Sequence, residues 1–388
     1  MKRRDLIKAL TVTPVAGAAF LGEITNAEAA PGQAPKRDYF GELGVRTFIN
    51  AAGTYTAMTA TLMRPETMEA IRAASQQFCM LDDLQDKVGE RIAAITHAEA
   101  AVVTSGAFAG LTLGLAGILT GKDPQKIKAL PHLEGTGMKN EVICQKAHAI
   151  GYNQALTNTG CKIVMIETVE ELKNAINSNT ASMHFLHANA DGGKIQHEEW
   201  VAIAKQNGIP TSIDIAADVP PVSNLWRFND MGFDMVVISG GKALRGPQSA
   251  GILMGKKDII AGARLSMPPR GETIGRGMKV NKEEILGMLV ALEEFVKIDH
   301  DAMAKQYEQK INQIKAAVDS VKGFKTSVST PKLANVTPTL RITWDTSIVK
   351  MDGDQMKLEL RNGKPSIEVV GGKDNLGVTP WCLKEGEE

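Results

Sequence analysis

Short apolar runs without polar alternation recur along the chain, each bounded by glycine, proline or polar residues. They fall at 98–104, 141–144, 162–167, 183–187, 210–215, 235–238 and 249–254. Runs of this length with no polar face fit strands covered on both sides, as in a parallel sheet. Between them the spacing becomes helical. Residues 65–80 place Met68, Ile71 and Phe78 on one face behind a starting Pro65, and 84–95 continues the pattern. Residues 111–119, 197–206 and 282–299 read the same way. Such alternation predicts an α/β fold, a doubly wound and mainly parallel sheet with helices on both faces. Past Asp299 the order changes: a helix over 302–321 precedes strand-like runs at 325–329, 339–344, 356–360 and 367–370. This predicts a smaller α+β domain over 300–388 behind a large domain over 41–299. Residues 41–65 form an N-terminal segment expected to pack on the small domain.

The first thirty residues follow neither pattern. Arg3-Arg4 precedes Leu6-Ile7 and Lys8, the stretch from Ala9 to Gly22 carries no charge, and Ala27-Glu28-Ala29 offers a small-residue cleavage site. Residues 1–29 therefore read as a twin-arginine signal peptide and 30–40 as a linker. The expectation is a folded, exported protein, periplasmic or otherwise extracytoplasmic, with no stable membrane association after export. No later apolar run is long and charge-free enough to span a bilayer. Lys plus Arg and Asp plus Glu number 44 each, so the charge balance does not point to nucleic acid as a partner. Cys79, Cys144, Cys161 and Cys382 are too scattered for a disulfide framework or a metal-ligand pattern, and no metal is expected.

Chemistry concentrates around Lys242, in Ser239-Gly240-Gly241-Lys242 at the end of the 235–238 run. A lysine held out of bulk water after a strand can be neutral and nucleophilic, and two glycines leave room for a bulky group beside the backbone. Upstream, Asp214 ends another buried run, where an unpaired carboxylate would be costly and should face a cation or strong donor. A protonated pyridine nitrogen is such a donor. Both residues would stand at the ends of neighbouring strands, where open α/β sheets bind ligands. Asp214 could instead cap a helix or join a structural ion pair, and Asp218 suits the cap role equally. Ser105-Gly106-Ala107 joins a strand to a helix, and N–H groups at such a start suit an anion such as a phosphate.

These residues, with Ile49-Asn50-Ala51-Ala52-Gly53, Val88-Gly89-Glu90, Gly246-Pro247-Gln248 and Gly275-Arg276-Gly277-Met278-Lys279-Val280, resemble the fold-type I pyridoxal phosphate enzymes. Within that aspartate aminotransferase-like class the chain is similar to the selenocysteine synthase-like group, and most of all to its D-glucosaminate-6-phosphate ammonia-lyase branch. The segment Thr56–Met63 departs from that branch in lacking glycines. The resemblance implies pyridoxal 5'-phosphate as cofactor, with Lys242 carrying it as an aldimine and Asp214 contacting the ring nitrogen. Ser105, Gly106 and Ala107 would hold its phosphate, with Ser239 as a further donor. His148 would lie near the ring, to stack or to move a proton, unless it is satisfied within its own loop. Arg276 and Lys279 would bind anionic groups of the substrate.

The implied activity is a lyase that eliminates water or ammonia from a small amino acid or amino-sugar acid through a carbanion. Other transferases and racemases use the same carbanion. A selenium transferase acting on seryl-tRNA would require a basic surface that the charge balance does not provide. A non-catalytic relic would have little reason to keep a buried Lys242 and Asp214. The resemblance also implies a homodimer or higher homo-oligomer.

Overall fold

A computed structural model describes residues 37–388. The signal peptide and most of the linker expected from the sequence lie outside the described residues. Residues 37–47 form a short unit of their own, in which Asp38 caps a one-turn helix, Tyr39–Glu42, and Arg37 pairs with Glu42. Phe48–Glu388 cluster as a second unit.

In the second unit β1 (Ile49–Asn50) leads to the helices Pro65–Ser75 and Leu81–Thr96. The main sheet follows in chain order: β2 (Ala100–Thr104), β3 (Glu141–Gln145), β4 (Lys162–Ile166), β5 (Thr180–Leu186), β6 (Thr211–Asp214), β7 (Met235–Ser239) and β8 (Gly251–Gly255). Its spatial order is β2-β8-β7-β6-β5-β3-β4. All neighbours are parallel except β8, which runs antiparallel to both β2 and β7. The apolar runs thus become the strands that their lack of a polar face required. β3, β5, β6 and β8 are buried along their whole length. The Gly106–Thr120 helix is apolar on nearly every side because it lies enclosed, with eleven residues from Ala109 to Thr120 buried.

A second core gathers around Ile311, Leu340, Met356 and Leu376. There the long His300–Asp319 helix accompanies an antiparallel sheet of β9 (Phe324–Ser329), β10 (Thr339–Trp344) and β12 (Leu376–Val378). Between them in sequence, β11 (Ile367–Glu368) pairs in parallel with β1.

Three expectations need correction. Residues 356–360 are helical, within Gly353–Asn362, because Asp352 and Gln355 form a reciprocal capping box that starts a helix there. The first helix stops at Ser75, not Met80, and Phe78 stands fully exposed beyond it. Strand 367–370 is cut to two residues that pair with β1, and it reaches the small sheet only through a bridge from Val370 to Gly377 of β12.

Candidate active site

Strand order brings the chemistry to one edge. Asp214 ends β6 and stands opposite Val237 of β7 in register. Thr104 and Ser239 both stand opposite Gly251, one from each side of β8. The turn after β2 and the turn after β7 therefore lie two strand spacings apart, about 10 Å. Lys242 is on the second turn.

The turn after β2 is built to leave donors free. Ser105 is the N-cap of the Gly106–Thr120 helix, yet its hydroxyl makes no capping bond. The first N–H groups of the helix lack intrahelical acceptors, so hydroxyl and amides together form an anion cradle. Gly106 has φ +85°, a left-handed conformation that a side chain would strain. Gly251 lies directly beneath: a Cβ there would come within 2.6 Å of Gly106 C and 2.7 Å of Ala107 N.

The Lys242 turn is held from outside by residues 56–64. Thr61 Oγ1 donates to the carbonyls of Gly241 (2.9 Å) and Lys242 (3.0 Å). Gln248 donates to Thr56 O at 3.1 Å. Arg64 donates to Leu244 O at 2.6 Å and Arg245 to Leu62 O at 2.7 Å, an exchange that ties the two segments together. The lysine side chain is half-buried and faces a cavity of about 390 Å³. Tyr55, Tyr152, Asn335, Thr337, Thr379 and Trp381 line that cavity with it. Burial pushes the Lys242 amine down from its ordinary range, against Asp214 and Asp218, which hold it up.

Asp214 accepts a 2.8 Å bond from the Ala216 N–H. Burial pushes its carboxyl upward, opposed by that bond and by Lys242. Asp218 was not among the residues that the sequence singled out for catalysis. It is 2% exposed, and neither carboxylate oxygen has a hydrogen-bond partner. Burial first, then Asp214, pushes it up to about 8, while Lys242 and the Ala334 amide pull the other way. The Ala334-Asn335 loop reaches it through a 2.7 Å bond from Asn335 N to Ala217 O. In sequence, the signal for Asp218 was an acid four residues beyond another acid at a strand end.

His148 follows β3 on a short turn and is wholly buried. Its Nδ1 accepts from the Leu186 N–H at 3.3 Å, its ring meets Phe185 edge-on, and its Nε2 has no partner. Burial pushes it down to about 4, so it is neutral at physiological pH. It does not line the Lys242 cavity; Tyr152 does. Arg276 and Lys279 are exposed on a loop and are likewise absent from the cavity wall. The structure thus brings together Lys242, Asp214, Ser239 and the Ser105-Gly106-Ala107 turn at the carboxyl edge, and leaves Arg276 and Lys279 outside.

Pyridoxal phosphate needs an anion cradle, an unsolvated amine, an acid for its ring nitrogen and unclaimed polar groups around the ring. The Ser105 turn, Lys242, Asp214 and the unpartnered Asp218 oxygens fit that set.

Comparison with known proteins agrees. Residues 140–371 match the family described as aminotransferase class-V. The chain is 27% identical to the D-glucosaminate-6-phosphate ammonia lyase of Salmonella typhimurium, over 89% of this chain and 94% of that protein. It is also 27% identical to a 5'-C-glycyluridine monooxygenase-decarboxylase of a Streptomyces species, over 89% and 88%. An L-seryl-tRNA(Sec) selenium transferase of Carboxydothermus hydrogenoformans matches over less, 25% identical across 56% of this chain and 50% of that one. The solved structure of a D-glucosaminate-6-phosphate ammonia-lyase superposes with a TM-score of 0.79 at 26% identity, covering 91% of this chain and 95% of the other. Family, sheet order and carboxyl-edge lysine converge on one conclusion: this chain belongs to the aminotransferase class-V family and is a pyridoxal-phosphate-dependent enzyme of fold-type I.

Proposed function

We propose that the protein is a lyase that removes water or ammonia from an amino-sugar acid. The convergence of Lys242, Asp214 and the Ser105 turn on one sheet edge carries the reading. Likeness over nearly the whole chain to an ammonia lyase supports the reaction class. Thr337 and Thr379 line the Lys242 cavity and have hydroxyls without partners, which favours a substrate rich in hydroxyl groups.

When bound, the cofactor supplies a ring that accepts electrons from the carbon next to the substrate amine. Ser105 and the N–H groups of Gly106 and Ala107 anchor its phosphate, with Ser239 as a second donor. Asp214 holds a proton on the ring nitrogen. Lys242, with its amine lowered by burial, would hold the cofactor and would be the base for the substrate's α proton. His148 stays neutral, packed edge-on against Phe185 and off the Lys242 cavity wall. In a homodimer or higher oligomer the exposed Arg276 and Lys279 would serve the anionic end of a substrate in the neighbouring subunit. The twin-arginine leader at 1–29 supports action outside the cytoplasm, which fractionation of expressing cells would test.

The test is spectral and then chemical. Protein supplied with pyridoxal phosphate should absorb in the visible, lose that band in Lys242→Ala, and release ammonia from phosphorylated amino-sugar acids. A colourless protein that ignores added cofactor would overturn the reading.

A further inference from the structure

Two arginines on the far side of the Lys242 turn remain without a charge partner. Arg64 and Arg245 each spend one nitrogen on a backbone carbonyl, and among the described residues neither forms an ion pair. Both are half-buried and both line one cavity of about 410 Å³, together with Tyr307. That cavity adjoins a second of about 520 Å³, since Thr61, Arg245, Lys310 and Trp381 line both. Trp381 also lines the Lys242 cavity, so all three meet at one indole.

The surroundings do not neutralise the pair. Asp299 is in the wall, but its carboxylate caps the next helix at the Ala302 N–H. Glu385 and Glu388 line only the outer cavity, and Glu388 lies 3.8 Å from Lys310, whose amine also donates to Leu383 O and Lys384 O. Burial lowers the Arg64 pKa and the facing Arg245 lowers it further, while Tyr307, Glu66 and Glu294 act the other way without forming an ion pair with it. Burial raises the Tyr307 pKa, with Arg245 and Arg64 pulling against it. Arg245 also holds φ +56°, a conformation uncommon outside glycine and costly to keep without a return. Two guanidinium forks and a phenol lining one cavity, with no acid within ion-pair distance of either arginine among the described residues, are the donor set of an oxyanion site.

We propose that Arg64, Arg245 and Tyr307 bind a phosphate or carboxylate group in this cavity, behind the catalytic lysine. The site is coupled to Lys242 by the backbone, since Arg245 N donates to Lys242 O at 2.9 Å. The oxyanion belongs either to the remote end of a substrate or to a free small anion; the first case rests on the lyase reading above, the second does not.

Isothermal titration of inorganic phosphate into the cofactor-saturated enzyme tests the site without any substrate. Wild type should bind, Arg245→Gln should weaken binding about tenfold or more, and Arg64→Lys, which keeps a charge but loses the fork, should weaken it less. Lys173→Gln, at an exposed lysine outside both cavity walls, should bind as wild type does. The visible cofactor band of each variant shows that it is folded and loaded. No binding by wild type, equal affinity in Arg245→Gln, or a loss confined to Lys173→Gln would overturn the assignment. A second arm assigns the source: phosphate that competes with a phosphorylated amino-sugar acid, raising KM alone, marks a substrate group, whereas phosphate that changes kcat marks a free anion. Absence of ammonia release with intact phosphate binding would sink the lyase reading and leave the anion site standing.

Discussion

Asp218 should be an acid that the fold keeps protonated at neutral pH, and Asp218→Asn tests this with a magnitude that the structure supplies. The carboxyl is 2% exposed, has no hydrogen bond to either oxygen, and lies beside Asp214. It ionises at about 8 when folded, against 3.8 ordinarily. The folded pKa is the raised one, so the contribution to stability is fully present below pH 3.8 and is lost as pH rises towards 8. Each pH unit in that window costs about 1.4 kcal/mol. A neutral asparagine escapes the cost. Its advantage over aspartate should be about 1.6 kcal/mol at pH 5 and about 4 kcal/mol at pH 7, apart from a constant offset for the change of group. Urea denaturation of the cofactor-free protein at pH 5, 6, 7 and 8 measures this difference directly. The reasoning fails if the stability difference between variant and wild type does not change with pH, because an Asp218 that ionises normally would give no slope.

The buried histidines make the opposite prediction in acid. His184, bonded to Ser212 Oγ at 2.9 Å, is pushed by burial down to about 3, so stability is lost as pH falls below 6.5. His184→Asn should reduce that loss by about 1.4 kcal/mol per pH unit below pH 6, read from urea midpoints at pH 6, 5.5 and 5. At the anion cradle, Gly251→Ala would drive a methyl into Gly106 and Ala107 and displace the donors. Cofactor affinity should fall about ten- to hundredfold, as expected for losing one bond to a charged group, while the fold persists; fluorescence titration with pyridoxal phosphate measures it. Ser105→Ala removes a hydroxyl that caps nothing, so it should weaken the cofactor with little change in melting temperature.

What the sequence revealed about the fold tracks how local the cause was. Strands buried on both faces announce themselves when their runs are mostly apolar; β3 and β8 were placed to within two residues on that basis. The segment Met356-Lys357-Leu358-Glu359-Leu360 misleads because its alternation imitates a half-buried strand. In the helix only Met356 of these is deeply buried, and Leu358 is 52% exposed. Lys242 and Asp214 could be read from their own strands and turns. Arg245, three residues past Lys242, carries no local signal, since its meaning comes from Leu62 and Arg64, some 180 residues away. Asp218 is similar: the loop that encloses it comes from residues 334–335.

Charge at the carboxyl edge explains why these distant contributions matter. Lys242 faces two carboxyls, and burial disfavours the charged form of all three. If both acids ionised, a single lysine could not balance them in a place that excludes water. The raised Asp218 resolves this by keeping its proton, leaving Asp214 as the one acid positioned to become a carboxylate when a ring cation arrives. A cofactor phosphate would add negative charge, but it would settle on the Ser105 turn, about 10 Å across the sheet from Ser239 and the start of the Lys242 turn. Separating the two anionic tasks lets Lys242 feel Asp214 without the phosphate holding its proton in place. An amine lowered by burial then gives up that proton more readily than an exposed lysine, as attachment and proton abstraction both require.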